Sequence, residues 1–246
     1  MQSLRSLKRL ARVAAGHDLW QTRQVITDTL TLGGRDANWT ICPSRLSPSS
    51  SVYCLGVGED ISFDLELIAR FGVTVHAFDP TPRSIEWVQA QSLPGEFVFH
   101  RYGVGAADGR YRFLPPRDPS HVSYSLVDRK TPGPAIELPV RRLGTILRAL
   151  EHQKIDLLKM DIEGAEYRVI GDLLDAQIFV GQLLVEFHHR WREVGIERTR
   201  HAIRALNGAG YRIFHVSARG DEYSFLNTRP EPQTGTVQTK HVSTRS

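Results

Sequence analysis

The pattern of this chain predicts an α/β fold: a mostly parallel sheet covered by helices on both faces. Three observations carry that expectation. Short, near-continuous apolar runs alternate with helical patterns, the mark of strands buried on both sides. A glycine turn follows the first such run and leads into a helix, an arrangement that lets a ligand approach the helix N-terminus. Acidic residues collect just past the ends of later runs, where open parallel sheets bind their ligands.

The apolar runs are Val52–Leu55, Val73–Phe78, Phe97–Tyr102, Ile155–Met160, Leu183–Phe187 and Tyr211–Val216. Helical periodicity lies between most of them, over 61–71, 81–92, 142–152, 164–176 and 196–209. Residues 103–140 break the rhythm with many Pro and Gly and two short strand-like pieces, Tyr111–Leu114 and Ile136–Val140. This stretch is expected over the sheet's carboxyl edge. Ahead of the first run, the Ser/Pro-rich residues 40–51 read as a linker or entry loop. The organisation expected is therefore a basic helical extension and linker over 1–50, a folded domain over 51–228 and a disordered polar tail over 229–246.

Composition excludes several classes. With 246 residues, 41% of them apolar and 24% charged, the chain can bury a core without disulfides or structural metal. No apolar run approaches membrane-spanning length. The two cysteines, Cys42 and Cys54, have neither zinc-site spacing nor the look of a disulfide framework, which favours a reducing, cytoplasmic setting. The net charge of +4 sits in the ends: residues 1–24 carry +4 and 228–246 carry +2, leaving 25–227 at −2. A nucleic-acid partner, which wants a basic face on the folded body, is not expected. In the N-terminal segment Leu4, Leu7, Ala11 and Ala14 form a helical stripe flanked by Arg5, Lys8, Arg9 and Arg12. A helix lying on the domain is the reading preferred. Weak peripheral membrane contact through residues 1–15, or organelle targeting, are the lesser ones.

The chemistry begins at SVYCLGVGED. Gly56 and Gly58 allow a sharp turn after the first strand, and Asp79 ends the second strand 21 residues after Gly58. That is about the spacing at which an acid takes the ribose hydroxyls of a nucleotide cofactor. The plainer reading, that Asp79 caps the helix beginning near Pro82, is compatible with it. A dinucleotide fingerprint would place Gly at position 61, which is Ile, and no Tyr-x-x-x-Lys or P-loop occurs. S-adenosylmethionine sites use a looser glycine turn with the same acid and fit better.

KIDLLKMDIEGAEYRVI is the most specific segment. Its strand runs into Asp161, Glu163, Gly164 and Glu166. Helix capping accounts for Glu163 and Glu166 but less well for Asp161. LLVEFHHRW ends the next strand in Glu186, His188 and His189. If the strand persists, Glu186 and His188 share one face and His189 takes the other. A histidine there suits a general base, since its ordinary pKa is near neutrality. Glu186, His188 and Asp161 together also suit a divalent metal, although nothing in the spacing requires one.

LGVGED, HAFDPTPRSIEW, KMDIEGAEYRVI, LLVEFHHR and the late EYSF resemble the FkbM-type, S-adenosylmethionine-dependent methyltransferases from about Val52 to Asn227. The resemblance implies a Rossmann-like class I methyltransferase fold: seven strands, one antiparallel near the edge, with Tyr211–Val216 and Tyr223–Leu226 supplying that hairpin. It implies O-methylation of a hydroxyl on a small molecule, sugar or natural product. Gly56 and Gly58 would face the cofactor's methionine and ribose, Asp79 its ribose hydroxyls, and Asp161, Glu163 and Glu186 the same crevice. Two departures stand out. Cys54 replaces an acid often found before the turn, and Asp60 replaces a third glycine, so the amino-acid end of the cofactor falls to Glu59 or Asp60. For the base, His188 comes first, Asp161 second and His189 third. The alternatives are a catalytically degenerate binding module and a nucleotide-dependent oxidoreductase. The sequence leaves acceptor identity, metal dependence and oligomeric state open.

Overall fold

The computed structural model describes residues 9–34, 37–115 and 134–231. Seven strands form the central sheet: β3 (Ser51–Leu55), β4 (Thr74–Phe78), β5 (Phe97–His100), β9 (Ile155–Met160), β10 (Val180–Glu186), β11 (Tyr211–Val216) and β12 (Glu222–Asn227). Their order is β11-β12-β10-β9-β3-β4-β5. All neighbours from β10 to β5 are parallel, and β12 pairs antiparallel with both β10 and β11. The expected fold is thus present, with its one reversed strand next to the edge.

Both faces of the middle strands are covered, which is why they read as continuous apolar runs. Tyr53, Leu55, Leu158 and Met160 face one core cluster, while Val52, Cys54, Leu157 and Leu184 face another. The helices α2 (Ser62–Phe71), α3 (Pro82–Gln89), α4 (Leu143–Ala149), α5 (Glu166–Asp175) and α6 (Ile196–Gly208) follow their expected spans closely. Register sets the functional edge. Leu55 pairs with Phe78 on one side and Met160 on the other, and Met160 pairs with Val185, so these strands end level.

A second sheet, β6 (Gly103–Val104), β8 (Ile136–Arg141) and β7 (Gly109–Phe113), arises from the irregular 103–140 region. Within the described residues it reaches the carboxyl edge, as expected.

The expectation of a linker over 40–51 is corrected. β1 (Leu30–Leu32) and β2 (Trp39–Ile41) form an antiparallel pair, and Leu32, Trp39, Ile41 and Cys42 are buried in the same cluster as Val52 and Leu184. The buried Gln182 side chain imitates a strand partner: Cys42 N donates to its Oε1 at 2.7 Å, and its Nε2 donates to Cys42 O at 3.0 Å. Ser224 Oγ donates to Thr40 O at 2.7 Å. A strand of three residues flanked by Ser and Pro gives too short a period to read, yet it completes the core.

Residues 9–14 form α1, which lies on the domain. Its Arg9 donates through Nη2 to Leu19 O at 3.1 Å and through Nη1 to Ser217 O at 3.4 Å. Residues 1–8 of the expected helix and 232–246 of the expected tail lie outside the described residues. Among the described residues no helix is long and apolar enough to cross a membrane.

Candidate active site

The level strand ends open into a crevice of about 340 Å³. Its floor is the turn after β3. Gly56 adopts φ +83°, and a Cβ built there would lie 1.8 Å from Asp161 O, so only glycine lets the loops after β3 and β9 pass this closely.

Asp79 holds the turn in shape. Its Oδ2 accepts from Val57 N at 3.0 Å and Gly58 N at 3.2 Å, and its Oδ1 accepts from Thr81 N at 2.9 Å and Thr81 Oγ1 at 2.7 Å. These four bonds match a carboxylate's capacity of about four lone pairs. The Thr81 hydroxyl also lies 2.8 Å from Ser84 Oγ, and its single proton can serve only one acceptor. Turning that proton to Ser84 frees an Asp79 lone pair on the crevice wall. Asp79 thus orders the turn after β3 and the approach to α3 from the crevice wall.

Glu59 and Asp60 also line the crevice. Glu59 pairs with Arg83 at 2.7 Å, and Asp60 Oδ1 accepts from Ser62 N at 2.8 Å at the start of α2. Burial pushes the nearby Asp64 carboxyl up while Lys159 pulls it back. Asp64 also contacts Cys54, so a helix supplies a carboxylate beside the strand position that lacks one.

Lys159 was not legible as a site residue, because a lysine inside an apolar strand carries no motif. Its Nζ donates to Gly56 O at 2.7 Å and sits 5.5 Å from the Trp39 ring centroid, at the crevice wall.

The loop after β9 presents Asp161 and Glu163 to the crevice. Glu163 takes φ +55°, a left-handed conformation unusual for a side chain of its size, immediately before Gly164 at φ +93°. Glu166, by contrast, is wholly buried and faces inward. Its Oε1 accepts from Ile162 N at 3.0 Å and Gly164 N at 3.2 Å, so Glu166 caps and shapes the loop.

His188 lies behind these acids. Its Nδ1 is 3.0 Å from Glu166 Oε1, and its Nε2 is 3.6 Å from Glu163 Oε2 and 3.8 Å from Asp161 Oδ1. Burial alone would lower its pKa, but Glu166, then Asp161 and Glu163, outweigh burial and raise it to about 10. His188, expected as first base, thus lies behind the crevice acids with its ring turned to Glu166, Glu163 and Asp161. Glu186 is another titratable group beside these acids. Burial, then Asp161, pushes its carboxyl up to about 8, and it lines the crevice.

His188 and His189 point apart, as alternation expects, and His189 Nε2 meets the buried Asp18 Oδ1 at 2.9 Å, which keeps it out of the crevice lining. Arg190 bridges Asp18 and Asp221, each at 2.7 Å. This network fastens the segment after α1 to the sheet, away from the crevice.

A Rossmann-like sheet with one reversed strand, a glycine turn pinned by an acid and an acidic crevice at the strand ends together define a methyltransferase domain. The sequence matches the methyltransferase FkbM domain over residues 22–213, and the chain belongs to that family. It is similar to rat and human proteins, each named "Probable methyltransferase-like protein 24". The rat protein is 29% identical over 178 residues, covering 67% of this chain and 42% of the rat protein. The human one is 28% identical over 177 residues, with the same coverage of 67% and 42%. The chain thus spans less than half the length of these relatives.

Proposed function

We propose that the crevice binds S-adenosylmethionine and transfers its methyl group to a hydroxyl of a small molecule, sugar or natural product. The observation that carries this reading is the charge pattern of the walls. Among the described lining residues the acids are Glu59, Asp60, Asp79, Asp161, Glu163, Glu186 and Glu222, and Lys159 is the one cation. A ligand bearing a sulfonium and an ammonium, with a single carboxylate, is the complement of that wall. Lys159 would take the carboxylate, Glu59 or Asp60 the ammonium and Asp79 the ribose. The apolar Val104 and Phe113 would take the adenine. The acceptor would approach from the side of Asp161 and Glu186.

In the reaction the acceptor oxygen would attack the methyl carbon, and the carbon–sulfur bond would break with its electron pair left on sulfur. The hydroxyl proton would go to Glu186 in its ionised form, whose share grows as pH rises toward about 8. Alignment of donor and acceptor contributes on the order of 7–11 kcal/mol, and a positioned base about 10²–10⁴-fold. The alternative of a degenerate binding module rests on Cys54, and the acids that line the crevice count against that reading.

The test incubates the protein with methyl-labelled S-adenosylmethionine and a panel of hydroxylated acceptors. Label in an acceptor, with S-adenosylhomocysteine formed in equal amount, supports the reading, and Glu186→Gln should slow turnover by about 10²–10⁴-fold while leaving the fold intact. Cofactor binding without transfer to any acceptor would favour the degenerate module.

A further inference from the structure

We propose that Asp161, Glu163 and His188 form a binding site for one divalent first-row cation at the acceptor side of the crevice. The inference deepens the methyl-transfer reading and rests on it only for the cation's purpose, not for its binding.

The donor atoms come from two separate loops, one after β9 and one after β10, and all lie within 4.8 Å of one another. His188 is the decisive member. Its side chain is 8% exposed, and its Nε2 is aimed at Asp161 and Glu163 across 3.8 and 3.6 Å. Those gaps exceed a hydrogen bond. They are within reach of ligands sharing an ion, since two bonds of about 2.1 Å place their donor atoms about 3.0 Å apart at about 90° and about 3.6 Å apart at about 120°, a closure the partly exposed carboxylates can make. At the other ring nitrogen, Nδ1 has Glu166 Oε1 at 3.0 Å but makes no aligned hydrogen bond. A buried carboxylate beside Nδ1 favours the proton on that nitrogen, so an ion entering between Asp161 and Glu163 would displace the proton from Nε2.

One imidazole and two carboxylates favour manganese or a neighbouring first-row cation over calcium, which prefers oxygen alone. The Asp161 side chain is 34% exposed, so the ion's remaining positions would open toward the crevice. An acceptor hydroxyl entering there would become more acidic on the cation, and Glu186, on the same wall, would receive its proton.

The experiment titrates Mn²⁺ into chelator-treated full-length protein and follows loss of the free-ion paramagnetic resonance signal. Pulsed measurements then look for nitrogen coupling to the bound ion. The expected result is one Mn²⁺ per chain with histidine nitrogen coupling. That coupling should vanish in His188→Gln, and affinity should fall at least about 10-fold in Glu163→Gln. Glu163→Gln alters a partly exposed side chain, and its thermal melt should match the parent, which keeps the test sound if the buried His188 variant fails to fold. Absence of stoichiometric binding, binding without nitrogen coupling, or unchanged affinity in Glu163→Gln would overturn the proposal. S-adenosylmethionine binding to the metal-free protein is measured alongside. If that persists while Mn²⁺ does not bind, the cation site falls and the methyl-transfer reading stands.

Discussion

The backbone of Gly56 packs directly on the carbonyl of Asp161: a Cβ on Gly56 would sit 1.8 Å from that oxygen. The loops after β3 and β9, which carry the glycine turn and the crevice acids Asp161 and Glu163, are thereby locked to each other. Gly56→Ala should both clash and strain a φ of +83°. The expected loss is at least about 3 kcal/mol of stability, read as a lower urea midpoint. Cofactor binding should be lost even where the variant still folds, because the two loops must separate.

Lys159 should distinguish the two ends of the cofactor. Lys159→Met removes the cation and keeps most of the stem that packs near Trp39. Affinity for S-adenosylmethionine should fall about 10-fold or more, as for loss of a charged hydrogen bond. Affinity for 5′-methylthioadenosine, which has no amino-acid end, should be unchanged. Calorimetric titration of both ligands gives the comparison.

His189 and Asp18 should matter for stability and not for chemistry. Asp18→Asn leaves Arg190 and His189 without their shared carboxylate in a buried setting. Stability should fall by about 3 kcal/mol, while cofactor affinity and the pH dependence of turnover stay as in the parent. A changed pH profile would return His189 to the reaction.

The histidine cluster around His76 should weaken folding on mild acidification. His76, His100 and His152 crowd together, with His76 Nδ1 3.0 Å from His100 Nε2 and Tyr53 OH 2.9 Å from His152 Nδ1. Burial, then His100 and His152, holds the His76 pKa down to about 4. Arg141, stacked on Tyr102, adds positive charge beside His100. A folded pKa below the unfolded value of about 6.5 means the unfolded chain binds protons first. The His76 contribution to stability is therefore full above that pH and is lost as pH drops from about 6.5 toward 4, opposite in sign to that of the raised Glu186 carboxyl. His76→Phe should flatten this part of the profile of urea midpoint against pH.

The sheet was legible because burial on both faces leaves an unbroken apolar signature, and β9 and β11 coincide with their expected spans, Ile155–Met160 and Tyr211–Val216. β1 and β2 were not, since three residues cannot show a period and the Cys42 backbone is satisfied by the distant Gln182 side chain. Asp79, Asp161, Glu163 and Glu186 were legible as crevice residues because each lies at or just past a strand end. One feature was hidden in register: Lys159 pairs with Cys54, which places it beside the turn. The opposed directions of His188 and His189 were legible from alternation, but the partners they meet, Glu166 and Asp18, were not.

The most direct measurement is calorimetric titration of the purified protein with S-adenosylmethionine and S-adenosylhomocysteine, with NAD as the comparison ligand and Asp79→Ala as the site control. Saturable one-to-one binding of both adenosyl ligands is expected, with NAD silent. Affinity should fall at least about 10-fold in the variant, as for loss of charged hydrogen bonds. A folded protein that takes up neither adenosyl ligand, or that binds NAD in their place, would contradict the assignment of the crevice.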